Sequence, residues 1–122
     1  MPQGHEKLVA WQRADDLFVA IHRFAATLPM EERYGLTSQM RRAAYSVPAN
    51  IVEGMARRSL RDRLRFLNIA EASLAEVAYC LHVLKRLGYL SPDVYLEFQR
   101  DVQQVGAPLV GLMRSLKLPD RE

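Results

Sequence analysis

Four long stretches of this chain place apolar residues three and four positions apart, and no stretch alternates long enough to form a strand. That period lines apolar side chains along one side of a helix. The sequence therefore predicts an all-α protein, an antiparallel up-down-up-down four-helix bundle, with a single domain over 1–122. With 122 residues, 49% of them apolar and 25% charged, the chain has the material to close one continuous core.

The first helix is predicted over about 6–28, from the series Leu8, Trp11, Ala14, Phe18, Ile21, Ala25 and Leu28. Pro29 disfavours an α conformation at Leu28 and sets the stop. The second is predicted over 37–55, with Thr37 as its N-cap and Leu36, Met40, Ala43, Val47 and Ile51 facing inward. Pro48 falls inside this pattern and predicts a kink, since it removes the bond to the carbonyl of Ala44. The third runs over 60–87: Ser59 and Asp62 have capping-box spacing, and Gly88 suits the left-handed residue after a helix end. The fourth runs over 92–117, with Ser91 as N-cap and Pro92 at the first helical position. Its seam of Tyr95, Phe98, Val102, Val105, Leu109, Leu112 and Leu116 alternates steps of three and four, Pro108 predicts a bend, and the chain is expected to fray beyond Leu118. Short connections make consecutive helices antiparallel neighbours.

The third helix is apolar over a wide arc. One series is Leu60, Leu64, Leu67, Leu74, Ala78 and Leu81; another is Phe66, Ile69, Ala70, Val77, Cys80, Leu84 and Leu87. One arc can be buried within the subunit and the other against a neighbouring copy, which predicts a homo-oligomer. A central helix touched by three others would account for part of the same width.

Residues with catalytic or metal-binding patterns are sparse. A di-metal bundle needs a Glu-x-x-His step, and the chain has none; His5, His22 and His82 are scattered. There is no phosphate-binding glycine loop. Cys80, the single cysteine, sits among Ala78, Tyr79, Leu81 and Val83, as a small buried hydrophobe would. Glu71 and Glu76 point to different sides of their helix, and Trp11 lies on the apolar stripe of the first. No catalytic residue, metal ligand or cofactor is assigned, and the protein is read as non-enzymatic. One unpaired cysteine implies no oxidising compartment. No secretory pattern is visible over 1–7, and no apolar run approaches the ~18 residues of a membrane span. A cytoplasmic protein with no membrane partner is expected.

The basic residues are uneven. Fourteen arginines stand against three lysines in a chain of net charge +3. Between 41 and 65 the chain carries Arg41, Arg42, Arg57, Arg58, Arg61, Arg63 and Arg65 against only Glu53 and Asp62. Arg57, Arg61 and Arg65 are spaced by four and line one side of the start of the third helix. Guanidinium rows neutralise phosphates and release counterions. The same residues can instead form a solvated face with local pairs, Glu53 with Arg57 and Arg58 with Asp62.

Ordered motifs run through these segments: Leu8-Val9-Ala10-Trp11-Gln12, then Glu31-Glu32-Arg33-Tyr34-Gly35-Leu36-Thr37-Ser38-Gln39, Arg41-Arg42-Ala43-Ala44, Ser46-Val47-Pro48-Ala49-Asn50-Ile51, Glu53-Gly54, Arg65-Phe66-Leu67 and Ser73-Leu74-Ala75-Glu76. Over about 7–117 the pattern resembles the bacterial four helix bundle protein family, known also from reading frames within intervening sequences of large-subunit ribosomal RNA genes. The resemblance implies a four-helix protomer assembled as a homopentamer. It also implies kinship with the accessory variability protein of diversity-generating retroelements, which binds nucleic acid and a reverse transcriptase through a basic surface. The chain departs from the family at Glu71 and Ala72, where a basic residue and a glycine are usual, and this lowers the positive potential there.

These readings predict a homopentameric scaffold that binds RNA or DNA phosphates through Arg41, Arg42, Arg57, Arg58, Arg61 and Arg65, positionally and without reading bases. The alternative is a protein-interaction adaptor that docks an acidic partner, such as a polymerase, without touching nucleic acid. Ser46, Pro48, Asn50, Glu53 and Gly54 form a structural motif at the kink. In it, a nearby amide or hydroxyl satisfies the carbonyl freed by Pro48, Glu53 is a buried partner for Arg41, Arg42 or a neighbouring subunit's arginine, and Gly54 serves a turn or a close helix approach.

Overall fold

Each helix begins and ends where local chemistry stops the previous one. The computed structural model describes residues 4–116, with helices α1 (Val9–Ala25), α2 (Leu36–Ala56), α3 (Leu60–Arg86) and α4 (Pro92–Ser115), and 3-10 turns at Gly4–Lys7 and Met30–Glu32. No strand occurs among the described residues. The tail beyond Leu118 and the predicted end of the fourth helix at 117 lie outside the described residues.

The caps of α3 and α4 follow their sequence signals. The Ser59 hydroxyl accepts the amide of Asp62 at 3.0 Å, and that of Ser91 accepts the amide of Val94 at 3.2 Å. At the end of α3, Gly88 takes φ +82°. The amide of Tyr89 then reaches the carbonyl of Leu84, and that of Gly88 the carbonyl of Lys85, the paired bonds of a Schellman stop. Two boundaries differ from expectation. The α pattern of α1 ends at Ala25, because over 26–28 the amides turn to carbonyls three residues back, and the Thr27 hydroxyl takes the Phe24 carbonyl. Thr37 is not the N-cap of α2: Gly35 holds that place without a capping side chain, and Thr37 lies buried in the first turn.

α1 packs against α2 and α4, and α3 packs against the same two, so the helices stand at the corners of a square. The α2–α3 seam is the most extensive. Ile21, Met40, Val47, Ile51, Leu67, Val77, Leu81, Leu84, Val105 and Leu109 fill the centre with no exposed surface to speak of. Burial of each such side chain contributes roughly 1.5–3 kcal/mol before the entropy of ordering is counted. α2 passes through Pro48 without a break. By length and composition α3 also reaches the lower limit for crossing a membrane, which the sequence reading did not find; in this bundle its apolar side forms the core.

The two apolar arcs of α3 merge into one. Leu67, Leu74 and Leu81 from the first series and Ala70, Val77, Cys80 and Leu84 from the second are all buried within the protomer. At ~100° per residue they share a single inward arc, and two neighbours suffice to cover it. What remains outside is narrower: Ile69, Tyr79 and Leu87 are exposed and Val83 partly so. These four fall within about 80° of one another on the flank of α3 that adjoins the buried arc at Cys80.

Candidate nucleic-acid interface

α2 stops when the backbone at Arg57 becomes extended, and three residues later Ser59 caps α3. This short link concentrates the arginines. Arg57 reaches back one turn to Glu53, its Nη2 donating to Oε2 at 2.8 Å. Arg63 Nε donates to the carbonyl of Arg57 at 2.7 Å and ties the link down. The guanidiniums of Arg57 and Arg65 each lie 4.8 Å from the centre of the Phe66 ring. Arg57, Arg63 and Arg65 therefore brace the junction. Arg58 and Arg61 are exposed and make no hydrogen bond or ion pair among the described residues. The Arg58–Asp62 pair allowed by spacing does not form. Arg57–Glu53 is the sole ion pair among the described residues, so the other guanidiniums lack a carboxylate partner.

Arg41 and Arg42 are not part of this cluster. Sixteen residues of α2 put about 24 Å between Arg41 and Arg57. They line a separate groove of about 490 Å³ between α1 and α2, with Arg33, Tyr34, Ser38 and Tyr45 from the α2 side and Phe18 and His22 from α1. Arg41 Nη2 donates to the His22 carbonyl at 3.2 Å, and Phe18 packs edge-on to Tyr45 with centroids 5.6 Å apart. The sequence reading assigned Arg33, Tyr34, Ser38 and Tyr45 to no site. The 34/38/41/45 spacing is itself a helical three-and-four step, legible as a second, aromatic–basic face. Its α1 half has no such signal, because Phe18 reads as core.

The motif around Pro48 is mostly an internal brace. Asn50 Nδ2 donates to the Ser46 carbonyl at 2.8 Å and to Ser46 Oγ at 2.9 Å, and Ser46 Oγ lies 2.7 Å from Ser73 Oγ on α3. The amide thus serves the carbonyl of Ser46; no side chain among the described residues reaches the carbonyl of Ala44 that Pro48 frees. Glu53 is exposed and bound to Arg57, not buried beside Arg41, because it faces outward on the last turn of α2. Gly54 marks a close approach of α2 to α3. A Cβ there would meet the Arg63 carbonyl oxygen at 3.1 Å and Phe66 Cβ at 3.2 Å.

Other reactive residues are placed where they do little chemistry. Cys80 is buried, and burial first, then Glu76, pushes its thiol above the ordinary value. His5 packs on Trp11 and His82 on Tyr79. No three metal-ligating side chains gather among the described residues.

Comparison with known proteins agrees with this architecture. A family model for the 23S rRNA-intervening sequence protein matches residues 6–111. Six chains of solved structure match. One, from Bacteroides thetaiotaomicron VPI-5482, is described as a protein with unknown function from the S23 ribosomal protein family. It is 25% identical, with a TM-score of 0.81 over 87% of this chain and 96% of that chain. No curated protein matches. The motifs of α2 and α3, the four-helix order and the match across most of the sequence agree: the chain belongs to the 23S rRNA-intervening sequence protein family.

Proposed function

We propose that the protein is a non-enzymatic homo-oligomeric scaffold, a pentamer, whose α2–α3 junction holds RNA or DNA by its phosphates. The observation that carries this reading is the distribution of charge. Between 53 and 65 the chain holds five arginines and two acids, a net +3 that equals the charge of the whole protein, so the remainder sums to zero. Arg58 and Arg61, exposed and unpaired, present that charge, while Arg57, Arg63 and Arg65 keep the link rigid. The outer stripe of Ile69, Tyr79, Val83 and Leu87 supports self-association, and a ring of copies multiplies the basic patch. The pentameric number rests on family resemblance.

The test is fluorescence anisotropy with a single-stranded RNA across a salt series, beside a mass measurement in solution. Affinity should fall steeply with salt, since each neutralised phosphate of a single strand contributes a slope of about −0.7 in log–log form. Arg58→Glu with Arg61→Glu should weaken binding and flatten the slope while leaving the fold intact. A lone monomer at high concentration removes the assembly. Absence of salt-dependent binding removes the nucleic-acid role and leaves the basic surface to an acidic protein partner.

A further inference from the structure

We propose that the outer seam of α3 in one copy seats in the α1–α2 groove of a second copy, so that copies pair head to tail around α2. This inference rests on the self-association proposed above and names the two faces that meet.

The first face is the seam. Arg65, Ile69, Ala72, Glu76, Tyr79 and Val83 follow one another in steps of four and three, the spacing by which one helix presents an edge to another. Ile69 and Tyr79 are 40% and 66% exposed, and Arg65 and Glu76 make no ion pair among the described residues. Ala72, in the middle, is exposed and small enough to let a second helix come close.

The second face is the groove. The basic hollow around His22, Arg41 and Arg42 runs into an apolar one of about 360 Å³, lined by Trp11, Pro48, Ala49 and Val52, and the two share Phe18 and Tyr45. Asp15 and Glu53 line the apolar end, and no carboxylate lines the basic end. Glu53 holds Arg57 through Oε2 alone, which leaves Oε1 open. A helix laid along this groove is matched when it carries a base, an apolar middle and an acid in that order. The seam has that order: Arg65, then Ile69 and Ala72, then Glu76. The spans also agree. Eleven residues separate Glu53 from Arg42 on α2 and Arg65 from Glu76 on α3, about 16 Å in each case.

The register gives the operation that relates the copies. Within one protomer α3 runs antiparallel to α2, with Ser46 beside Ser73 and Gly54 against Phe66. Counted from these contacts, Arg65 stands at the height of Glu53 and Glu76 at the height of Arg42, to within two residues, about 3 Å. A second copy brought in by rotation alone, about an axis along the bundle, therefore sets its Arg65 level with Glu53 and its Glu76 level with Arg42. Rotation that closes gives a ring, whereas a shift along the axis gives a filament. The seam adjoins the edge of α3 on which Ser73 meets Ser46, so seam and groove flank α2 on its two sides and the protomer is a wedge. Ile69 then meets Trp11 and Val52, and Tyr79 and Val83 reach Tyr34, which is 89% exposed in the single copy. All the junction arginines come to one end of the ring.

The test is sedimentation velocity of the full chain at several concentrations, with Ile69→Glu to spoil the seam and Tyr45→Glu to spoil the groove. Both positions are exposed in the protomer, so circular dichroism should show the wild-type fold. Each change puts a carboxylate into the apolar middle of the contact and should weaken self-association about a hundredfold, leaving a monomer. Mixed one to one, the two monomers should form a dimer, because the intact seam of the Tyr45→Glu protein fits the intact groove of the Ile69→Glu protein. The Arg58→Glu, Arg61→Glu protein should assemble like wild type, so loss of nucleic-acid binding leaves this inference standing. A wild-type monomer overturns the self-association and this inference together. Wild-type assembly that survives Ile69→Glu or Tyr45→Glu overturns only the faces named here. So does a mixture that stays monomeric, the mark of a contact in which each face meets its own copy.

Discussion

Replacing Gly54 by alanine sets two opposing effects against each other where α2 lies close against α3. Gly54 is buried in ordinary helical backbone, so alanine adopts its conformation without strain. Helix propensity alone then favours alanine by up to about 0.8–1 kcal/mol, less in a last turn. Against this, the new methyl would stand 3.1 Å from the Arg63 carbonyl oxygen, 3.2 Å from Phe66 Cβ and 3.6 Å from Leu67 Cδ2. The first two atoms belong to or hang directly from the α3 backbone and cannot rotate aside. α2 and α3 must part by a few tenths of an ångström along their seam, and overpacking of this kind costs about 1–3 kcal/mol. The net expectation is a loss of roughly 1 kcal/mol. Gly111→Ala supplies the reference: Gly111 is exposed in α4 and nothing lies within 4 Å of its added Cβ, so the same change should stabilise by several tenths of a kcal/mol. Urea unfolding followed by far-UV circular dichroism, at one fixed protein concentration, measures both. Opposite signs are expected, and thermal midpoints should separate by about 3–8 °C. If Gly54→Ala stabilises as much as Gly111→Ala, the close approach of α2 to α3 is wrong.

Three further outcomes follow from the geometry. Asn50→Ala removes both bonds to Ser46, and Ser73→Ala removes the α3 partner of that hydroxyl; each should cost about 1–2 kcal/mol in the same unfolding assay, and the double change less than their sum, because the two act on one network. Gly88→Ala forces a side chain into φ +82° and should cost about 1 kcal/mol, visible as earlier hydrogen exchange of the last turn of α3. Burial, then Glu97, raises the carboxyl of Asp101 above its ordinary value, with Arg100 opposing. Ionising it in the fold therefore costs stability, absent below the unfolded value, growing as pH rises through the folded one and complete above it. Asp101→Asn should then be more stable than wild type near neutral pH, and denaturant melts across pH should show that advantage vanish on acidification.

The legible part of this protein was the part written in local periodicity. Ser59, Ser91, Pro92 and Gly88 marked the helix ends because capping is a contact among residues three or four apart. Gly54 was read as serving a turn or a close helix approach, and the contact with α3 selects the second. The misread positions are those where a distant partner decides. Thr37 looks like a cap, yet Gly35 takes the cap and the packing of α1 buries the threonine. Of the two readings of Glu53, the local pair with Arg57 four residues on is the one that forms, and the buried partner for Arg41 is not. The arginines formed one cluster along the sequence, and the rise of α2 separates them into two.

Apolar spacing, the start and stop signals of the helices and the arginine bias are properties of the chain alone, and they determined an all-α bundle of four antiparallel helices with a basic middle. Which arginines act together was settled only when α1 came to lie beside α2, because Phe18 and His22 complete a groove with residues far from them in sequence. The same holds for the surplus apolar surface on α3: a helical period says how wide an apolar arc is, but the number of helices packed against it says how much of that arc remains uncovered.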